Sequence, residues 1–303
     1  MTDQDQLLVD RDEGIAILTL NRPQKRNALT LDLQADLADA LWEADEDTGI
    51  HAVILRGAGE HFCAGYDLSG AGGEGQASRH HDPSRQYRGY RSLDDDAWQL
   101  ERAQRYRMAI FDMHKPVIAQ VQGACLAGGT DLAFLCDMVI AADDARIGFP
   151  PARDLGALPN QFWVYNCGPQ WAKRLMLTGD TVTGAEAQSI GLVMKAVRPD
   201  DLAAECLGLA KRLAMIDPDL LSANKRIVNL AMELMGARTL QRLAAENDVR
   251  GHNTKAADGF RQSVRELGLK GAITARDAAF GDGRARVHGP EKRDENGRLL
   301  DEY

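Results

Sequence analysis

The chain has 303 residues, is 44% hydrophobic and 27% charged, and carries a formal net charge of −9. That length can bury a sizeable core and suits one large domain with an appendage, and the acidic balance excludes the basic footprint of a nucleic-acid binder. No apolar run approaches the ~20 residues of a membrane span, and the start, Met1-Thr-Asp-Gln-Asp-Gln, is unlike a signal peptide. The expectation is a cytoplasmic protein with neither membrane nor nucleic-acid partners. Cys63, Cys125, Cys136, Cys167 and Cys206 are odd in number and set among apolar residues, so they read as reduced core thiols. The histidines have no metal-ligand spacing, and His80-His81 lies in a polar loop.

In chain order, Gly14-Ile-Ala-Ile-Leu-Thr-Leu20 predicts a strand ended by Asn21-Arg22-Pro23. Thr30 caps a helix whose apolar positions Leu33, Leu37, Ala40 and Leu41 recur at helical spacing. Ala52-Val-Ile-Leu-Arg56 is a short buried strand closed by Gly57-Ala-Gly59, and strand-like sequence then runs from His61 to Leu68. Residues 69–93, rich in Gly, Arg, His and Asp, lack periodicity and predict a mobile surface insertion. Ser92, followed by Asp94 to Asp96, opens a long helix to about His114, stopped by Lys115-Pro116. Strand 117–121, helix 129–136 and strand 138–142 alternate next, and Thr183-Gly-Ala-Glu186 matches a capping box. Alternation up to about residue 200 predicts an α/β core. Beyond it, helices are expected near 200–215, 218–235 and 238–250, and 281–303 reads as an extended charged tail. Pro218 reads as a helix start, and the run from Met232 to Met235 as a packing surface.

Two loops share one design: Cys63-Ala-Gly-Tyr-Asp67 and Leu126-Ala-Gly-Gly-Thr-Asp131 each follow a strand, contain glycine and lead toward a helix. The start of a helix leaves backbone N–H groups unpaired at the positive end of its dipole, and glycine lets a ligand approach the main chain. Brought together, one N–H from each loop would grip a single carbonyl oxygen as an oxyanion hole. The alternative is that both are strand-to-helix turns whose glycines serve geometry alone. Asp131 then has a choice between acid–base work beside those donors and helix capping with Thr130.

These segments, together with Leu20-Asn-Arg-Pro23, Asn27-Ala-Leu29, Phe62-Cys-Ala-Gly-Tyr-Asp67, Lys115-Pro-Val-Ile-Ala119, Gly123 to Asp137 and Leu177-Thr-Gly-Asp180 to Ala187, resemble the crotonase (enoyl-CoA hydratase/isomerase) superfamily over about residues 10–280. The resemblance implies an α/β spiral of ββα units over residues 1–200. It also implies a helical C-terminal oligomerisation region over 201–280, assembly as a homotrimer or dimer of trimers, and an acyl-CoA thioester substrate. Coenzyme A then arrives as part of the substrate, with no other cofactor and no metal. Carried over by position, the N–H groups of Tyr66 and Gly128 form the oxyanion hole and Asp131 takes the place of the first catalytic carboxylate, where the helix start, by keeping it ionised, favours a base over an acid. Arg22, Lys25, Arg26, Ala28, Ala64, Asp67 and Asn160 fall among the positions that contact the CoA ester, and Arg276 and Phe280 match a C-terminal CoA contact loosely.

The departures from that pattern matter as much. A hydratase of this family works with two glutamates, and unlike environments let two carboxyls divide acid and base roles. Here the first position is Asp131, one methylene shorter. The second falls on Pro151 or Ala152, depending on the direction of counting through Gly148-Phe-Pro-Pro-Ala-Arg-Asp-Leu-Gly156. Neither can move a proton. Asp154 is the nearest carboxylate, and Arg153 is expected in a surface ion pair. Asn160 stands where an isomerase branch of the family, which also has aspartate at the position of Asp131, places a second aspartate. The leading expectation is an enoyl-CoA hydratase with an atypical acid set. The alternatives are a double-bond isomerase using one carboxylate, or an acyl-CoA-binding protein that has lost the chemistry. The Gly123 to Gly129 spacing does not fit a dinucleotide fingerprint.

Overall fold

The computed structural model describes residues 5–69, 82, 84–87 and 92–301; the insertion expected at 69–93 falls largely outside them. The first half alternates: β1 (Leu7–Asp12), β2 (Ile15–Leu20), α1 (Leu31–Glu46), β3 (Ala52–Gly57), α2 (Leu93–Asp112), β4 (Val117–Val121), β5 (Ala124–Leu126), α3 (Gly128–Leu135), β6 (Met138–Ala142) and β7 (Arg146–Gly148). Then follow α4 (Trp163–Thr178), β8 (Thr181–Thr183), α5 (Gly184–Ser189) and β9 (Lys195–Val197), and the helices α6 (Leu202–Ala214), α7 (Pro218–Leu234), α8 (Ala237–His252) and α9 (Lys255–Ala278).

Two sheets organise this order. The larger runs β1-β2-β3-β4-β6-β9, and the smaller β5-β7-β8. Only β1 pairs antiparallel in the larger sheet; Ile17 sits beside Ile54, Ile54 beside Ile118, and Ile118 beside Met138 across its parallel centre. Strands of a parallel sheet covered on both faces carry unbroken apolar runs. Ala52 to Leu55 and Val117 to Ala119 are such runs, and all are buried. Between the sheets the chain bends sharply. At Gly123 the backbone has φ +56, and a Cβ there would meet the Glu60 carbonyl oxygen at 2.1 Å, so only glycine allows β4 to turn into β5.

The helix starts follow local chemistry. Thr30, Ser92 and Thr183 accept backbone N–H bonds at the starts of α1, α2 and α5, and Glu186 completes the capping box. α6 packs against β3, β4 and β6, and α8 against α2, which brings the C-terminal region to the wall of the site. The strand β1, the three-residue strands of the smaller sheet, β9 and the helices α4 and α9 add to the elements expected from sequence. Residues 281–301 contain no helix or strand. They are pinned where Thr181 donates to the Gly283 carbonyl at 2.8 Å and Ala285 donates back to Thr181 at 2.8 Å. No helix among the described residues is long and apolar enough to cross a membrane.

Candidate active site

The fold brings the two glycine loops into contact. Cys63 N–H donates to Ala124 at 3.0 Å and Leu126 N–H to the Cys63 carbonyl at 2.9 Å, so the first loop is stitched along β5. A Cβ on Gly65 would meet that of Ala127 at 2.9 Å and the Gly128 nitrogen at 3.5 Å, and one on Gly129 would meet the Cys63 carbonyl oxygen at 2.3 Å. These approaches need glycine. In the parallel bridge beside Leu29, Gly65 supplies the accepting carbonyl and Asp67 the donating N–H, which turns the Tyr66 N–H away from that ladder. Gly128 opens α3, where an N–H has no partner within the helix. Neither N–H finds an acceptor among the described residues. Ala127, just before them, holds φ 50 and ψ −120, a conformation costly for a residue with a Cβ.

The side chains above this pair of donors form a buried polar centre. The Tyr66 ring lies on Gly128, where an added Cβ would meet three ring atoms at 2.9 to 3.0 Å. Its hydroxyl donates to Asp131 Oδ2, while Asp131 Oδ1 is buried with no hydrogen-bond partner among the described residues. Asp131 is 3% exposed. Burial raises its pKa to about 7 against the opposing Arg107 charge and the Tyr66 hydrogen bond, with Asp248 raising it further. Burial also pushes the Tyr66 phenol well above its ordinary range, so it stays protonated at neutral pH.

Arg107 comes from α2 and stands 5.2 Å over the Tyr66 ring, a cation–π distance. Though only 1% exposed, it forms no ion pair with a described carboxylate. It donates instead to Asn160 Oδ1 at 2.7 Å and to Gln34 Oε1, and its Nη2 is unpartnered among the described residues. Asn160 in turn donates to Gln241 of α8 at 3.1 Å. A narrow crevice beside Asp131 is lined by Thr130, Phe134, Asn160, Phe162 and Trp163, and the buried Trp163 Nε1 is also without a partner among the described residues. Asp248 accepts from the Ala157 N–H at 2.8 Å and faces His252, which contacts Asp96 at 2.9 Å.

A strand–loop–helix pair of this kind, with a protonatable carboxyl beside it, suits a carbonyl group that gains negative charge during reaction. The sequence pattern of the enoyl-CoA hydratase/isomerase family matches residues 10–266. The chain belongs to that family. It is 34% identical over 234 residues to the 2,3-dehydroadipyl-CoA hydratase of Escherichia coli, covering 76% of this chain and 84% of the relative. It is 33% identical over 212 residues to the crotonyl-CoA hydratase of Syntrophomonas wolfei, covering 68% and 75%. The crystal structure of an enoyl-CoA hydratase from Mycobacterium smegmatis superposes with a TM-score of 0.82 at 33% identity, covering 91% of this chain and 94% of that one. The crotonase superfamily and its α/β fold, expected from sequence, are therefore those of this chain, and it is an enzyme of the hydratase/isomerase family.

Within this family member the remaining expected residues are distributed unevenly. Arg22 is turned inward, donating to the Ala28 carbonyl and to Asp67 at 2.7 Å, so this pair braces the first loop. Lys25 and Arg26 are exposed, and Ala64 is tied to Arg26 by a 2.9 Å backbone bond. Pro151 and Ala152 lie in a short turn over Pro150–Arg153 and bring no proton-carrying group. Asn160 sits in the polar centre as a neutral acceptor for Arg107. Arg153 departs from the expected surface ion pair. Its side chain is 2% exposed and binds Asp180 and Asp277, each at 2.9 Å, with the Phe280 ring 4.0 Å from its guanidinium. Asp154 pairs instead with Arg276 at 3.6 Å, and burial raises its pKa to about 6 against that partner. Arg276 and Phe280 are thus held inside the chain's own ion cluster.

Sequence reasoning did not single out Arg107, Trp163, Gln241 or the Tyr66 ring. One signal was available for the arginine. Ala103, Gln104, Arg107, Met108 and Phe111 share the buried stripe of α2, so a cation at the centre of an apolar helical face marks a buried charge.

Proposed function

We propose that the chain hydrates an enoyl-CoA thioester, with the thioester oxygen received by the N–H groups of Tyr66 and Gly128 and the proton work centred on Asp131. What carries this reading is the meeting of two backbone donors, free of described acceptors, beside a buried carboxyl. Charge builds on the thioester oxygen as water adds at Cβ. Fixed donors lower that barrier without reorganising, and losing one costs about 2.7–4 kcal/mol. A carboxyl whose pKa is about 7 is matched to proton transfer near neutral pH. No separate cofactor is called for.

The test uses the purified chain with crotonyl-CoA, following loss of the enoyl absorbance and binding of a saturated acyl-CoA by calorimetry. Binding with turnover is the expected result; absence of binding overturns the reading. A second reading, isomerisation, is favoured by the single carboxyl, because one base can move a proton between two carbons. It predicts conversion of a 3-enoyl-CoA to the 2-enoyl isomer with no hydrated product. Binding without any product from an enoyl-CoA panel would leave a non-catalytic acyl-CoA binder. We further infer a homotrimer or dimer of trimers. Leu220, Ile227, Val228, Leu230, Leu234 and Met235 along α7 stand exposed in the single chain, an apolar face of the kind that marks an association site. Light scattering on the eluting protein tests the assembly.

A further inference from the structure

We propose that the Tyr66 phenol and the Asp131 carboxyl act as one acid–base pair, supplying between them the proton positions that two glutamates would provide, with Arg107 as the pair's buried counter-ion. The proposal rests on the acyl-CoA reading above and adds a proton-carrying side chain to it. Four observations converge. The Tyr66 ring lies against Gly128, so the phenol shares the space above the donor that would hold the thioester oxygen. Its hydroxyl is bonded to one oxygen of Asp131. The other oxygen, Oδ1, is buried and without a described partner, so the carboxyl keeps an acceptor that no described residue uses. Arg107, 5.2 Å over the ring, is a buried cation whose hydrogen bonds among the described residues go only to neutral amide oxygens. An unpaired buried charge is costly, and a pair that carries one negative charge at rest, and lends it to the enolate during reaction, keeps an opposite charge in the site.

The step balances without any co-reactant. The water oxygen bonds to Cβ while its proton passes to the Asp131 carboxylate. The π electrons move toward the thioester oxygen, and the enolate then takes the Tyr66 hydroxyl proton at Cα. The proton on Asp131 returns to the phenolate, so one proton leaves water, one enters the product and the pair is restored. Pro151 and Ala152, which cannot carry a proton, then need no substitute at their own position.

The charged and titratable groups facing the pair are Arg107 from α2, Asp248 from α8, the latter coupled to His252 and through it to Asp96, and the thiols of Cys63 and Cys125, which burial keeps protonated. Removing the Arg107 cation therefore shifts ionisation of the carboxyl to higher pH.

The experiment compares wild type, Tyr66→Phe and Arg107→Gln in three measurements: crotonyl-CoA hydration, α-proton exchange of a saturated acyl-CoA in D2O, and calorimetric acyl-CoA binding. Tyr66→Phe keeps the ring and is expected to bind acyl-CoA as wild type does, while losing roughly 100-fold or more in both exchange and hydration. Arg107→Gln is expected to move the acid limb of the kcat/KM profile to higher pH. Wild-type exchange rate and pH profile in Tyr66→Phe overturn the proposal, whether or not Arg107→Gln folds. Exchange by wild type, lost in Tyr66→Phe but unaccompanied by hydration, removes the hydratase reading and keeps the pair. A wild-type chain that binds acyl-CoA yet neither exchanges nor hydrates overturns both.

Discussion

Two buried arginines among the described residues, Arg153 and Arg107, are treated in opposite ways. Around Arg153 the charges are closed: it binds Asp180 and Asp277, its Nε donates to the Thr178 carbonyl at 3.0 Å, and Asp180 also receives Arg174 at 2.7 Å, which reaches on to Glu291 at 2.8 Å. This network ties the end of α4, the end of α9 and the last segment together. Around Arg107 the opposite charges stand off, amide oxygens fill in, and Arg107 Nη2, Asp131 Oδ1 and Trp163 Nε1 are left short of described partners. A buried charge that serves the fold is paired, because breaking such a pair costs several kcal/mol. A buried polar group left short of partners keeps bonding capacity for something that arrives later. Asp154 Oδ1 also lacks a described hydrogen bond but has a cation, Arg276, at 3.6 Å; what sets the Arg107 centre apart is the missing ion pair among the described residues.

Perturbing each cluster should separate activity from stability. The largest effect is expected from Asp131→Asn, which should lower kcat/KM by about 10³-fold while the protein stays folded by circular dichroism; a rate near wild type would break the comparison. Arg153→Ala should do the reverse, costing about 3–5 kcal/mol in chemical denaturation with the shape of the pH–rate profile unchanged. Gly128→Ala sets a methyl 2.9 Å from the Tyr66 ring, and the displaced ring should cost on the order of 10²-fold in kcat, read by steady-state kinetics.

Asp131→Asn should also raise stability. The folded carboxyl holds its proton up to about pH 7, against about 3.9 when unfolded. Between those values the folded state binds more protons, so stability falls as pH rises. The asparagine escapes that loss, so its gain of about 4 kcal/mol at pH 8 should shrink toward zero near pH 4 in thermal melts. The smallest effect belongs to Asp96→Asn. Burial opposes the His252 charge, but the Asp96 hydrogen bond and the Asp248 charge hold its pKa above the ordinary value. The substitution should therefore cost about 1 kcal/mol in mildly acidic solution, fading as pH climbs through the raised pKa.

The larger sheet was legible because parallel strands buried on both faces leave unmistakable apolar runs, as at Ala52–Leu55 and Val117–Ala119. Helix starts were legible where a hydroxyl and an acid stand at fixed offsets, as at Thr183 and Glu186. The strands Ala124–Leu126, Arg146–Gly148 and Thr181–Thr183 were not, since three residues are too few for alternation to show. At the site, the glycine loops declared themselves by spacing. Arg107, Tyr66 and Asp131 did not declare their association, because it is made by tertiary contacts between α2, a loop and α3. Asp154 was proposed as the nearest carboxylate from sequence distance alone, and the fold directs it to Arg276 instead.

The stitching of the Cys63 loop to β5 has a bearing on how such an enzyme can diversify. With Gly65, Gly128 and Gly129 each closed to a Cβ by a neighbouring atom, the donor side of the cleft has almost no room for variation. The crevice beside Asp131 is lined by the side chains of Phe134, Asn160, Phe162 and Trp163, where no such backbone contact forbids a change. New specificity is therefore to be sought by varying its apolar members, Phe134, Phe162 and Trp163, with Gly65, Gly128 and Gly129 left in place.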